Sequence, residues 1–208
     1  MNFKIANKLI GDNQPVFIVA ELSANHNQDF KIAAKSIKAA KEAGADAIKL
    51  QTYTPDTITI DSNKKYFRIG GGTLWDGQNL YSLYKSAFTP WEWHEKLKKI
   101  ADDEGIILFS SPFDKTAVDL LENMKVPAYK VASFEAVDTP LIEYIASKGK
   151  PVIISSGLST LKNLEEAIDV CRKMKNNNIA ILKCTSIYPA PYDEVNLRTI
   201  PHMKNAFN

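Results

Sequence analysis

Apolar residues in this chain come in short, nearly unbroken runs that finish in polar side chains. Five runs read VFIVAEL, AIKLQTY, ILFSSPF, AYKVASFE and PVIISSG, and a sixth, IAILKCTSIYP, follows near the end. Their β-branched and aliphatic content is that of strands buried on both faces. Amphipathic helical patterns lie between them. Residues 29–43 put Phe30, Ala33, Ala34, Ile37 and Ala40 on one stripe with lysines opposite, and Gly44 ends the helix. Residues 90–104 predict a second helix, with Thr89 as N-cap, Pro90 at the first helical position and Gly105 at the close. Shorter helices are predicted over 115–124, 139–148 and 161–175, with Asp114, Asp138 and Thr160 near their starts, and the segment 194–206 begins another.

Strand followed by helix, six times over, predicts an α/β fold with a parallel sheet and helices outside it. A closed barrel needs eight strands. The pattern alone leaves open an open doubly wound sheet or about three-quarters of a barrel. In either case parallel strands direct their carboxyl ends to one side, so the polar ends of the runs are expected to converge there. Residues 54–89 break the rhythm with a Gly70-Gly71-Gly72 run, Trp75-Asp76-Gly77 and several tyrosines. An insertion of that length after the second strand is expected to be a functional loop or lid over the active face.

Composition narrows the class. The 208 residues are 45% hydrophobic, enough for a sizeable core, and 26 basic against 24 acidic residues are mixed along the chain. No basic stripe argues for nucleic acid. No apolar run approaches the ~20 residues of a membrane span, and the N-terminus lacks a signal-peptide core. Cys171 and Cys184 have neither metal-knuckle nor redox-pair spacing. The expectation is a cytoplasmic protein with reduced thiols.

Lys49 and Lys130 stand inside apolar runs. Desolvating an ammonium costs several kcal/mol, so a lysine there is paired or holds an anion. A phosphate or carboxylate ligand suits two such lysines. A structural pair with Glu21 or Glu135, or a Schiff-base role, is the competing reading. Ser110-Ser111-Pro112 and Ser155-Ser156-Gly157 add hydroxyls that hold anions or merely mark turns. Glu21, followed by Ser23, Asn25 and His26, is placed to position water or take a proton. His94 and His202 read as surface or packing residues, and Trp91 and Trp93 as packing residues. Three scattered histidines form no metal-ligand pair.

The runs VAELSANHN, AGADAIKLQTYTPD, FSSPFD, AYKVASFE, ISSGL and LKCTSIYP, in this order, resemble the N-terminal barrel of the sialic acid synthase family. The resemblance covers nearly the whole chain and implies a TIM-type (β/α) barrel over residues 1–208, incomplete at about six of eight βα units. It implies condensation of phosphoenolpyruvate with an aminosugar to a nine-carbon ulosonic acid, with Mn2+ or Mg2+. By matching motif, Lys49, Ser111, Lys130, Ser133 and Ser155 would hold phosphoenolpyruvate. Glu21 would orient or deprotonate a reacting group, and Gln51, Glu135, Ser186 and Tyr188 would face the sugar. The LSANH form and Ser186, where N-acetylneuraminate synthases typically carry asparagine, favour the branch whose acceptor is a 2,4-diacetamido-2,4,6-trideoxy-altrose sugar. The alternatives are N-acetylneuraminate or legionaminate synthesis, or an inactive fragment of such an enzyme. The family's two metal-binding histidines lie on the seventh and eighth strands, and an antifreeze-like domain follows them. This chain is expected to stop short of all three, and the homodimer expected of the full-length family is carried as an expectation here.

Overall fold

The computed structural model describes residues 2–72, 75–187 and 189–207. Two units make up the chain: Pro15–Val126, and residues 2–14 together with 127–207. Each contains three parallel strands of the predicted strand–helix rhythm.

In the first unit, β3 (Val19–Glu21), β4 (Ala47–Thr52) and β5 (Ile107–Pro112) pair side by side, Glu21 opposite Lys49 and Gln51 opposite Ser111. Strand β3 is shorter than the run VFIVAEL predicts. Val16 is 83% exposed, and Ile18 bonds to Asp46 and Ala47 at the start of β4. Helix α1 (Phe30–Glu42) starts where Asp29 accepts the Lys31 amide at 2.7 Å, and it buries Ala33 and Ile37. Helix α4 (Trp91–Asp103) packs on α1 and β5 and buries His94, Leu97 and Ala101. Its cap differs from the sequence expectation: Pro90 takes the N-cap position, and the Thr89 hydroxyl is committed to His26. Trp91 and Trp93 are packing residues as expected: Trp91 Nε1 donates to the Tyr53 carbonyl, and Trp93 meets His26 and Phe30 edge-on. The insertion is folded, with α2 (Pro55–Ile58) and α3 (Leu80–Ala87) separated by an Arg68–Asn79 bridge. Helix α5 (Lys115–Asn123) is capped by Asp114.

In the second unit, β6 (Tyr129–Val131), β7 (Val152–Ser155) and β8 (Ile179–Leu182) pair in sequence order, Lys130 opposite Ile153 and Ser155 opposite Leu182. Helices α6 (Thr139–Ala146) and α7 (Leu161–Lys173) pack together, capped by Asp138 and by a Thr160–Asn163 capping box. Helix α8 (Thr199–Phe207) ends the described chain. A hairpin of β1 (Phe3–Ile5) and β2 (Lys8–Ile10) belongs to this unit and is absent from the sequence reading. The six strand–helix units are those of a TIM-type (β/α) barrel, short of the eight that close one. Among the described residues no helix is long and apolar enough to cross a membrane.

Candidate functional site

Strand alternation sorts the polar residues at the ends of β3, β4 and β5. Glu21, Lys49, Gln51 and Ser111 fall on one face by register, whereas Thr52 and Ser110 fall on the other. On the first face, Lys49 Nζ lies 2.7 Å from Glu21 Oε2 and donates to Ser111 Oγ at 3.4 Å. The lysine side chain is 7% exposed and its carboxylate partner 52%, so the pair presents an acid at the surface and keeps its cation underneath. The structural pairing weighed for Lys49 is therefore present, and Ser111 adds a hydroxyl that an anion would share.

The segment after Glu21 is held tightly. Leu22 is buried and its amide donates to the Lys49 carbonyl, while Ser23, Asn27 and Gln28 all take left-handed backbone angles of φ +47° to +56°. Three non-glycine residues in that region need surrounding contacts to hold them. His26 provides some. Its Nδ1 accepts the Gln28 amide, so the proton sits on Nε2, which donates to Thr89 Oγ1 at 3.1 Å. Burial holds the ring below the usual histidine range.

On the opposite face, Ser110 departs from the expected convergence. It bonds Thr52 Oγ1 at 2.6 Å, and Thr52 bonds His94 Nε2 at 2.9 Å. His94 Nδ1 donates to the Pro90 carbonyl at 3.2 Å, which leaves Nε2 as the acceptor and sets the direction Ser110 to Thr52 to His94. All three side chains are buried, and burial drives the His94 pKa down to about 4. His94 is thus a core anchor between α4 and the sheet, not a surface residue. Both histidines have both ring nitrogens engaged. Among the described residues no three His, Cys, Asp or Glu side chains are grouped as metal ligands.

The second unit carries a parallel arrangement. Lys130 is 6% exposed and donates to the Val131 carbonyl at 2.7 Å and to Ser155 Oγ at 2.5 Å. Cys184, just beyond β8, places Sγ 3.3 Å from the same serine. Glu135 opens a short 3-10 turn, with Oε2 buried and without a hydrogen-bond partner. Burial raises its pKa, and its own backbone hydrogen bond and the Lys130 charge pull it partly back. Ser133 and Ser186 meet at Gly157: a Cβ built there would lie 2.8 Å from Ser133 Oγ and 2.1 Å from Ser186 Oγ. Tyr188 lies outside the described residues. Cys171 and Cys184 are both free, and burial lifts the Cys171 thiol to about 11.

Each unit therefore collects its own share of the expected residues: Glu21, Lys49, Gln51 and Ser111 in one, Lys130, Ser133, Glu135, Ser155 and Ser186 in the other. Gly157 is the residue that motif reading passed over. Ser-Ser-Gly reads as a turn, and only the packed strand ends reveal what rests on the glycine.

Comparison with known proteins bears on this arrangement. Residues 36–208 match the model of the NeuB family. The chain is 50% identical over 196 residues to the pseudaminic acid synthase of Campylobacter jejuni subsp. jejuni serotype O:2, covering 94% of this chain and 57% of that one. It is 50% identical over 194 residues to the pseudaminic acid synthase of Helicobacter pylori, covering 93% and 57%. Among solved structures, the N-acetylneuraminic acid (sialic acid) synthetase of Leptospira borgpetersenii serovar Hardjo-bovis, in complex with citrate, superimposes with a TM-score of 0.87. That match has 29% identity and covers all of this chain and 67% of that one. The chain spans a little over half the length of the curated relatives. With the family model matched over most of its length and the synthase barrel shared throughout, the chain belongs to the NeuB family.

Proposed function

We propose that this chain serves the condensation of phosphoenolpyruvate with a 2,4-diacetamido-2,4,6-trideoxy-altrose sugar, giving pseudaminic acid and phosphate. It carries most of the phosphoenolpyruvate site. The observation that carries this reading is the repeated pairing of a strand lysine with a serine at the carboxyl end of a neighbouring element: Lys49 with Ser111 of β5, and Lys130 with Ser155 of β7, each nearly buried. Each pair, a cation with a hydroxyl donor out of reach of bulk water, suits an anionic group such as a phosphate or a carboxylate. Ser133 completes the phosphoenolpyruvate set. Gln51, Glu135, Ser186 and Tyr188 face the sugar.

In this reading Glu21 works beside Lys49, placed to orient or deprotonate a reacting group. The enol carbon attacks the aldehyde of the open-chain sugar, water adds to the resulting cationic carbon, and phosphate leaves. The lysines offset the ligand's charge throughout. Dependence on Mn2+ or Mg2+, a homodimer and a cytoplasmic location belong to the same proposal. The 50% identity to two pseudaminic acid synthases supports the choice of acceptor.

Phosphate release from phosphoenolpyruvate with Mn2+ tests the proposal, with the diacetamido-altrose sugar and N-acetylmannosamine offered separately. Release with the first alone is expected of a pseudaminic acid synthase. Release with the second alone makes the chain an N-acetylneuraminate synthase. Binding without release makes it an inactive part of such an enzyme.

A further inference from the structure

We propose that Gly157 is a positioning residue for the acceptor sugar: its bare backbone seats the Ser186 hydroxyl beside that of Ser133. The inference rests on the reading of Ser186 as a sugar contact and Ser133 as a phosphoenolpyruvate contact. It adds a residue to which no role has been given.

The geometry is specific. Gly157 follows β7, Ser133 follows β6, and Ser186 follows β8, so three neighbouring strand ends meet there. A Cβ at Gly157 would stand 2.1 Å from Ser186 Oγ, 2.8 Å from Ser133 Oγ and 3.2 Å from Cys184 Cβ. The first two separations are below any tolerated contact, and the third is tight. The glycine is not there for backbone freedom, because its φ lies outside the left-handed range. What opposes a side chain is the space already taken by the two hydroxyls, one of which must shift to admit it.

The neighbours differ in how they can give way. Ser186 is exposed and lies beyond the end of β8, so its hydroxyl can swing aside. Ser133 is half-buried and the encroachment on it is smaller. A methyl group at 157 therefore displaces the sugar-side hydroxyl first and leaves the phosphoenolpyruvate side closer to its native place. Condensation needs both reactants held within bonding distance, so a shared seat for one hydroxyl from each set keeps their relative position fixed.

The test is a double-mutant cycle on the full chain with two readouts. Thermal unfolding of Gly157→Ala, Ser186→Ala and the double variant reads the seat itself, independently of any ligand. The expected result is that Gly157→Ala lowers the melting temperature, and that Ser186→Ala, by removing the colliding oxygen, recovers most of that loss. Equal losses in both backgrounds would overturn the proposal. Calorimetric binding of the diacetamido-altrose sugar and of phosphoenolpyruvate reads the role. Gly157→Ala is expected to weaken the sugar about tenfold, the scale of one misplaced pocket contact, and phosphoenolpyruvate by less than about threefold. Equal weakening of the two, or none for the sugar, would contradict it. A wild-type chain that binds neither ligand overturns the functional reading and the role with it, while the unfolding cycle still reports on the contact at Gly157.

Discussion

Lys49 and Glu21 face each other across β3 and β4, with Nζ and Oε2 2.7 Å apart and the lysine the more buried of the two. An anionic ligand reaching Lys49 meets a carboxylate already in place, so under the proposed function Glu21 opposes ground-state binding while acting in turnover. Glu21→Gln removes that opposition. Phosphoenolpyruvate should then bind the variant at least as tightly as the wild type, while turnover falls about 100-fold or more. Calorimetry and phosphate release measure the two sides, and a loss of affinity matching the loss of rate would contradict the catalytic role proposed for Glu21.

Lys130 gives a contrasting case. Its ammonium is nearly buried and donates to the Val131 carbonyl and to Ser155 Oγ, so the cost of desolvating it offsets much of what its contacts contribute. Lys130→Met should leave unfolding stability in urea within about 1 kcal/mol of wild type, or raise it. A loss of about 3 kcal/mol would identify Lys130 as a structural cation instead.

His94 sets a limit on acid stability. Its folded pKa is depressed to about 4 from an ordinary 6.5. Below pH 6.5 the unfolded chain takes up a proton that the buried ring resists, so stability present above pH 6.5 is lost as pH falls towards 4. The contribution is up to about 3 kcal/mol. His94→Gln should cost about 1–2 kcal/mol at pH 7 through the Thr52 contact and should flatten the decline between pH 6.5 and 4. Denaturant titrations at several pH values read both, and an unchanged slope would contradict the assignment.

Glu135 has the opposite sign. Its folded pKa is raised, so its stabilising contribution is present at acid pH and is lost as pH rises through the raised value. At pH 7 the ionised carboxylate, with Oε2 unpartnered, weakens the fold. Glu135→Gln should raise the melting temperature at pH 7, and the gain should shrink near pH 4. Thermal melts at the two pH values check it, and a gain independent of pH would argue against the carboxylate as its source.

Much of this was legible in the sequence because its causes are local. Most apolar runs and the caps at Asp114, Asp138 and Thr160 depend on neighbours within a few residues, and they appear where the pattern predicts them. The pair Ser110 and Ser111 shows where legibility stops. Adjacent and identical in type, they part company only when alternation and register turn one towards Lys49 and the other towards Thr52 and His94. His26 and His94 were unreadable for the same reason, since their partners lie 63 and 42 residues away along the chain. The hairpin of Phe3–Ile5 and Lys8–Ile10 escaped because three-residue strands carry almost no periodic signal and its turn places Ala6 at φ +50° without a glycine.

The most direct test of the central claim is calorimetric titration of phosphoenolpyruvate into the folded chain and into its Lys49→Met and Lys130→Met variants. Saturable binding is expected, weakened at least about tenfold in each variant by removal of a charge-assisted contact. Binding that neither substitution changes, or no binding by the folded wild-type chain, would contradict it.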